Sequence, residues 1–320
     1  MEPMDLPRMP LRTASAVTFF YALGYPIGAL AVTGMTPMAV LVVRFGLAAT
    51  ILGVWAHLSG VRWPTGRRLA HVAVTGLLMQ AVQFCALYEA VQRGAPAVLC
   101  AVLIAMNPVA TAILAAVFLR ERLGSWRVVA LGLGVVAVLA ACARRLVATH
   151  GVDPVIVLLV IALLGLSAGG IYQQRFCAGV DFRATSAVQN AVALVPAAVL
   201  ACLTPFAVHD AVKATVAIAG VVLLNAALGV SLYVRAISAH GAAAVAMLFA
   251  VIPAVAGLLS WLMLGQRPDA GIAVGLVVGA AACWLNSRAS GRQRDPLGDP
   301  LGDRAPANPE FATDGLCANR

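Results

Sequence analysis

Apolar residues in this chain come in long uninterrupted runs, separated by short polar segments. The runs cover Ala14–Val32, Met38–Leu58, Leu69–Val91, Ala97–Leu119, Val128–Cys142, Pro154–Ile171, Ala184–Phe206, Ala214–Ala236, Ala242–Leu264 and Ala270–Leu285. Most hold about 20 residues, enough for a helix to cross roughly 30 Å of hydrocarbon. The fifth and tenth are shorter. The pattern predicts an all-α integral membrane protein of about ten transmembrane helices.

The chain repeats itself. At a shift of 145 residues the halves align without gaps. Leu87-Tyr88 falls on Leu232-Tyr233, Pro108 on Pro253, Arg122 on Arg267 and Gly134 on Gly279. Matches among Ala, Val and Leu carry little weight in so apolar a chain, but Tyr, Pro, Arg and Gly at one fixed offset mark an internal repeat. Five helices per copy is an odd number, so the second copy enters the membrane from the opposite side. The expected architecture is two inverted five-helix repeats, a frequent plan among secondary transporters. The expected division is a cytoplasmic N-terminus over 1–13, the first repeat over 14–142, an extracytoplasmic linker over 143–153 and the second repeat over 154–286. Residues 287–320 are polar and rich in Pro, Gly and Asp, with Asp295-Pro-Leu-Gly nearly repeated at Asp299-Pro-Leu-Gly. Such a segment buries too little apolar area to fold and reads as a disordered cytoplasmic tail.

Composition agrees: 62% of residues are hydrophobic and 11% charged, too few charges to cover a soluble domain. The net charge of +9 does not make a nucleic-acid binder, because the basic residues lie in short loops with no basic, aromatic-interleaved face. With the N-terminus inside, fourteen loop Lys and Arg fall on the cytoplasmic side and five (Arg93, Arg144, Arg145, Lys213, Arg267) outside. That bias places both termini in the cytoplasm of a multi-pass protein of the cell membrane. The first run lacks a small-residue cleavage site and is read as a span rather than a signal peptide. The seven cysteines show neither metal nor disulfide spacing. No P-loop, dinucleotide fingerprint, His/Cys metal cluster or Ser/His/Asp arrangement is present. Neither a cofactor nor an enzymatic function is expected.

Polar residues within hydrocarbon are costly and tend to face the protein interior or an aqueous path. Arg44, about a third of the way in from the outer end of the second run, is a candidate to hold a substrate carboxylate; the alternative is a structural clamp on helix-end carbonyls. Its counterpart in the second repeat is Gln189, followed by Asn190. Gln80 lies mid-depth in the third run, with Gln83 on the same face, and its counterpart is Asn225. With Asn107, these amides are candidate substrate contacts or inter-helix glue. Pro108 and Pro253 are expected to kink the fourth and ninth helices and serve as a hinge or a static bend. Glu89 is the one acidic residue that falls within a run, a candidate for proton coupling or a carboxylate paired with Arg93. Tyr21, Tyr25 and Tyr172 are interface anchors or site residues.

The stretch Thr36-Pro37-Met38-Ala39-Val40-Leu41-Val42-Val43-Arg44-Phe45, the stretch from Ala86-Leu87-Tyr88 through Pro108 to Leu119-Arg120-Glu121-Arg122, and the second copy from Leu232-Tyr233 through Pro253 to Leu264-Gly265-Gln266 together resemble the drug/metabolite transporter superfamily, in its EamA-type members. Gln266 stands where the family's usual Glu is expected. The resemblance covers roughly residues 14–286. It implies a secondary carrier, often an exporter of amino acids, related metabolites or drugs, whose partners are a small-molecule substrate and the lipid bilayer. Helices one to four and six to nine would enclose the cavity, leaving five and ten for packing or homodimer contacts. The competing readings are a membrane-embedded enzyme on a lipid-linked substrate and a non-transporting scaffold or sensor.

Overall fold

The computed structural model describes residues 9–119, 125–149, 153–204, 206–240, 245, 247–267 and 269–293. Helices are numbered by the run they realise. They are α1 Leu11–Gly34, α2 Pro37–Leu58, α3 Gly66–Gln92, α4 in two pieces (Ala97–Ile104 and Asn107–Leu119), α5 Ser125–Thr149, α6 Pro154–Phe176, α7 Phe182–Leu203, α8 Ala211–His240, α9 Ile252–Leu264 and α10 Ala270–Gln293. Among the described residues, seven helices are long and apolar enough to cross a membrane, and the fifth, ninth and tenth runs supply shorter apolar helices.

Local sequence sets the helix ends. Asp153, Asp181 and Asp210 accept from the backbone N–H of Val155, Arg183 and Lys213, capping α6, α7 and α8. Pro37 and Pro154 occupy first-turn positions, where the missing N–H costs nothing. Gly265 ends α9 in the left-handed region at φ 65°, which glycine enters without strain.

Two boundaries differ from the sequence expectation. α5 continues to Thr149, so most of the expected 143–153 linker is helical, and α10 continues to Gln293, past the expected start of the tail at 287. An apolar run marks the stretch in hydrocarbon, whereas a helix carries on through polar residues as long as nothing breaks its hydrogen bonds. The rest of the expected tail, like residues 1–8, lies outside the described residues.

The prolines also act differently from expected. Pro108 and Pro253 do not bend a continuous helix. The first half of α4 stops at Ile104, Ala105 and Met106 form a turn, and a new helix starts at Asn107 with Pro108 in its first turn. In the second repeat a 3-10 turn at Met247–Ala250 precedes α9, again with Pro253 in the first turn. A proline cannot supply the N–H and crowds the preceding turn, so the chain restarts the helix there. Among the described residues, Pro108 and Pro253 thus stand in the first turn of a helix at matching places in the two repeats.

A second paired irregularity lies one helix earlier. α3 is π-helical over Leu77–Val82 and α8 over Val221–Val230. Shifted by 145 residues, the first segment falls inside the second, with Gln80 and Asn225 within the wide turns. π-Turns are uncommon and concentrate at functional sites.

Packing follows the repeat. α2 lies along α7 and α5 along α10, each pairing a helix with its own counterpart. α1 packs on the π segment of α8 and on α9, while α6 packs on α3 and on α4; exchanging the two repeats converts the first set into the second. Close crossings use glycine: a Cβ on Gly76 would stand 2.8 Å from the Cα of Gln189, joining α3 to α7.

Candidate functional site

The polar residues singled out within the runs are almost all turned inward. Arg44, Gln189, Gln80, Gln83, Asn190, Asn107 and Asn225 are each less than 5% exposed. They do not form one ring. They separate into a group around Arg44, a group around Gln189, named outer and inner after the orientation that the charge bias predicts, and a contact at the break in α4.

In the outer group, the Arg44 side chain leaves α2 and lies over Phe84 of α3, its Cζ 3.6 Å from the ring centroid. Its Nη2 donates to Asn225 Oδ1 at 3.3 Å, and Asn225 Nδ2 donates to the backbone carbonyl of Phe20 at 3.3 Å. Arg44 Nε and Nη1 have no hydrogen-bond partner, and no carboxylate among the described residues pairs with the guanidinium. Gln83 Nε2 donates to the Tyr21 hydroxyl at 2.9 Å. Tyr21 in turn packs against Tyr25, Tyr233 and Phe249 at 6.3, 5.4 and 5.1 Å between centroids. The Tyr25 hydroxyl, also buried, makes no hydrogen bond. A buried cation stabilised by one amide and the rings of Phe84 and, at 5.2 Å, Phe45 is an unfinished coordination shell. Each orphaned buried donor costs about 1–3 kcal/mol, and a buried charge without a counter-charge costs more.

The inner group joins three helices. Gln189 Nε2 donates to Thr75 Oγ1 and to Gln173 Oε1, both at 2.9 Å, linking α7 to α3 and α6. Asn190 Nδ2 is used by the carbonyl of Ser186 at 2.8 Å. Gln189 Oε1, Gln173 Nε2, Asn190 Oδ1 and the hydroxyls of Thr185 and Ser186 remain unpartnered. On α3, Gln80 stands between Thr75 of this group and Gln83 of the outer one, with neither amide atom hydrogen-bonded.

Asn107 is tied into the packing: its Oδ1 accepts from Ser167 Oγ at 2.7 Å and from Thr111 Oγ1 at 3.4 Å, joining the break in α4 to α6. Pro253 borders a narrow apolar crevice with Val102, Met106, Phe249 and Gly279. Glu89 is partly exposed and accepts from Arg93 Nε at 2.8 Å. Tyr21 and Tyr25 are buried in the aromatic wall and are not interface anchors, whereas Tyr172 pairs its hydroxyl with His71 Nδ1 at 2.8 Å.

Several members of both groups were not among the sequence candidates. Phe84 and Phe249 look like ordinary core residues. Thr75, Gln173, Thr185 and Ser186 sit near run ends, where polar residues draw no attention. Tyr233 carried one usable signal, its match to Tyr88 in the repeat.

The model of the EamA-like transporter family matches this chain twice, over residues 11–142 and 153–288. No curated protein matches it. A solved structure described only as the crystal structure of a protein is similar over 90% of this chain and 99% of its own, with a TM-score of 0.62 and 15% identity, a likeness of fold alone. The first matched segment ends within α5 and the second begins at the start of α6, so the internal repeat divides between them, and each holds one π-helical segment and one helix with a proline in its first turn. The chain belongs to the EamA-like transporter family.

Proposed function

We propose that the protein is a secondary carrier that exports a small anionic metabolite, an amino acid, a related compound or a drug, across the cytoplasmic membrane. Arg44 holds the negative group. The observation that carries this reading is the buried Arg44 guanidinium with Nε and Nη1 unpartnered and no carboxylate beside it. A carboxylate or phosphate would complete that shell with charge-assisted hydrogen bonds. Gln80, Gln83 and Asn225 supply neutral contacts to the rest of the cargo, and the inner group of Gln189 and Asn190 lines the cytoplasmic approach. Glu89, engaged with Arg93, is given no coupling role.

Alternating access between inverted repeats is the mechanism the packing favours. The π-helical segments and the helices that start at a proline recur in both halves, so either half has the same means of rearranging. The two membrane faces are not in the same state. On the side of the α1–α2 loop, Met35 and Val208 form an antiparallel bridge, and Thr36 and His209 donate to the carbonyls of Ala207 and Gly34. Their repeat counterparts, Val180 and Trp63, share no bridge among the described residues. With both termini inside, this is a carrier tied shut on its outer face.

The test is comparative export. Cells expressing the wild type, Arg44→Ala or no carrier are loaded with mixed amino acids and related acids, and the medium is followed by mass spectrometry. Faster release of an anionic compound by the wild type alone, at equal membrane protein, supports the reading. Release that survives Arg44→Ala removes Arg44 from the site, and no release across the panel removes anionic metabolite export.

A further inference from the structure

A second basic and aromatic cluster lies at the opposite end of α2 from Thr36. Trp55, in the last turn of α2, meets Phe182, the first residue of α7, edge to face at 5.8 Å. Two guanidiniums lie against this pair: Arg183 Cζ is 5.7 Å from each ring centroid, and Arg235 Cζ from α8 is 5.4 Å from that of Phe182. Arg183 also pairs with Asp181, Nη2 to Oδ2 at 2.9 Å. Arg235 is exposed, and no carboxylate among the described residues lies within ion-pair distance of it. Two cations and one carboxylate leave one positive charge.

The repeat makes the cluster informative. Shifted by 145 residues, Asp181, Phe182, Arg183, Arg235 and Trp55 fall on Thr36, Pro37, Met38, Ala90 and Leu200. None of the chemistry has a counterpart on the other face. The gating movement shared by the two halves does not require a cluster confined to one face, so the cluster answers to something present on that face.

We propose that this cluster, at the junction of α2, α7 and α8, binds the headgroup phosphate of an anionic phospholipid of the cytoplasmic leaflet. The side rests on the orientation given under the proposed function. Arg235 sits five residues inside the end of α8, on the exposed surface, and a guanidinium there is too costly to leave in hydrocarbon without an anion or water. Lipid phosphate is the anion always present at that depth. Aromatic rings hold the guanidinium planes and leave N–H edges for bidentate contact with phosphate oxygens. The single net positive charge matches the single negative charge of a phosphodiester. The headgroup thereby bridges Arg183 of α7 to Arg235 of α8.

The test is competitive lipid retention by the full-length protein, read by native mass spectrometry after equilibration with equal amounts of phosphatidylglycerol and phosphatidylcholine. The wild type retains phosphatidylglycerol in preference. Arg235→Gln weakens that retention about fivefold, the effect of one surface arginine. Arg235→Lys, which keeps the charge, retains most of it, and Arg67→Gln, on the same face outside the cluster, changes nothing. Equal retention of both lipids, an undiminished Arg235→Gln, or an equal loss in Arg67→Gln overturns the proposal. So does thermal protection by inorganic phosphate as great as by phosphatidylglycerol vesicles. No transport readout enters, so failure of the export reading and failure of this one are told apart.

Discussion

Arg44 of the first repeat and Asn225 of the second are joined by a hydrogen bond of 3.3 Å, and Asn225 is the repeat counterpart of Gln80. One amide of this pair is thus engaged by the arginine, while the other keeps both its polar atoms unpartnered. The two halves share a backbone plan but not a charge. Gln189 stands where a second arginine would make the arrangement symmetric, so the buried cation lies in one half only.

This separates a binding role for Arg44 from a structural one. If Arg44 awaits an anion, the empty protein holds an uncompensated buried charge, and Arg44→Gln relieves it. The variant should then melt at or above the wild-type temperature in detergent while losing export by at least tenfold. If Arg44 is a clamp, the same change lowers the melting temperature and the amount of folded protein. Thermal unfolding beside the export assay decides between them.

The crossing of α3 and α7 is set by backbone rather than by side chains that can yield. A Cβ on Gly76 meets Gln189 Cα at 2.8 Å and its carbonyl oxygen at 3.0 Å, whereas a Cβ on Gly46 meets nothing within 4 Å. Gly76→Val should therefore cost about 1–3 kcal/mol by overpacking, seen as a lower yield of monodisperse protein and a lower melting temperature. Gly46→Ala should leave stability unchanged or raise it by up to about 1 kcal/mol through helix propensity.

The sequence made Arg44, Gln80, Gln189 and Asn225 visible because a polar residue inside an apolar run is conspicuous, and the repeat paired them. It did not show the π-turns. Leu77–Val82 and Val221–Val230 are built from residues that serve an α-helix equally well. The prolines were visible, but the restart itself, where the Met106 N–H turns to the carbonyl of Leu103, is announced by no residue type. The aromatic wall was hidden for another reason. Tyr21, Tyr233 and Phe249 come from α1, α8 and the turn before α9, and only the fold brings them together.

The bridge between Met35 and Val208 offers a direct test of gating. Paired residues in an antiparallel bridge have Cα atoms about 4.5–5.5 Å apart, within disulfide range. In a background with the exposed Cys202 replaced, Met35→Cys with Val208→Cys should cross-link under mild oxidation and stop export, and reduction should restore it. Full cross-linking with export unimpaired would mean that these loops do not open during transport.

The cap of α7 gives a pH signature. Asp181 accepts from Arg183 through both its side chain and its backbone N–H, and these bonds hold its carboxyl below the ordinary carboxylate range, the side-chain bond contributing most. A depressed carboxyl stabilises the folded state at every pH above its unfolded value, near 4, and that stability is lost only as pH falls through the lower folded value. The Asp181 contribution should therefore be constant from neutral pH down to about 5 and fade in stronger acid. Asp181→Ala should lower stability at neutral pH by about 1 kcal/mol, the usual worth of an N-cap. The gap between wild type and variant, followed by thermal unfolding across pH, should close on the acid side. A gap that stays constant into strong acid would show that the ionised carboxylate is not what holds this helix end.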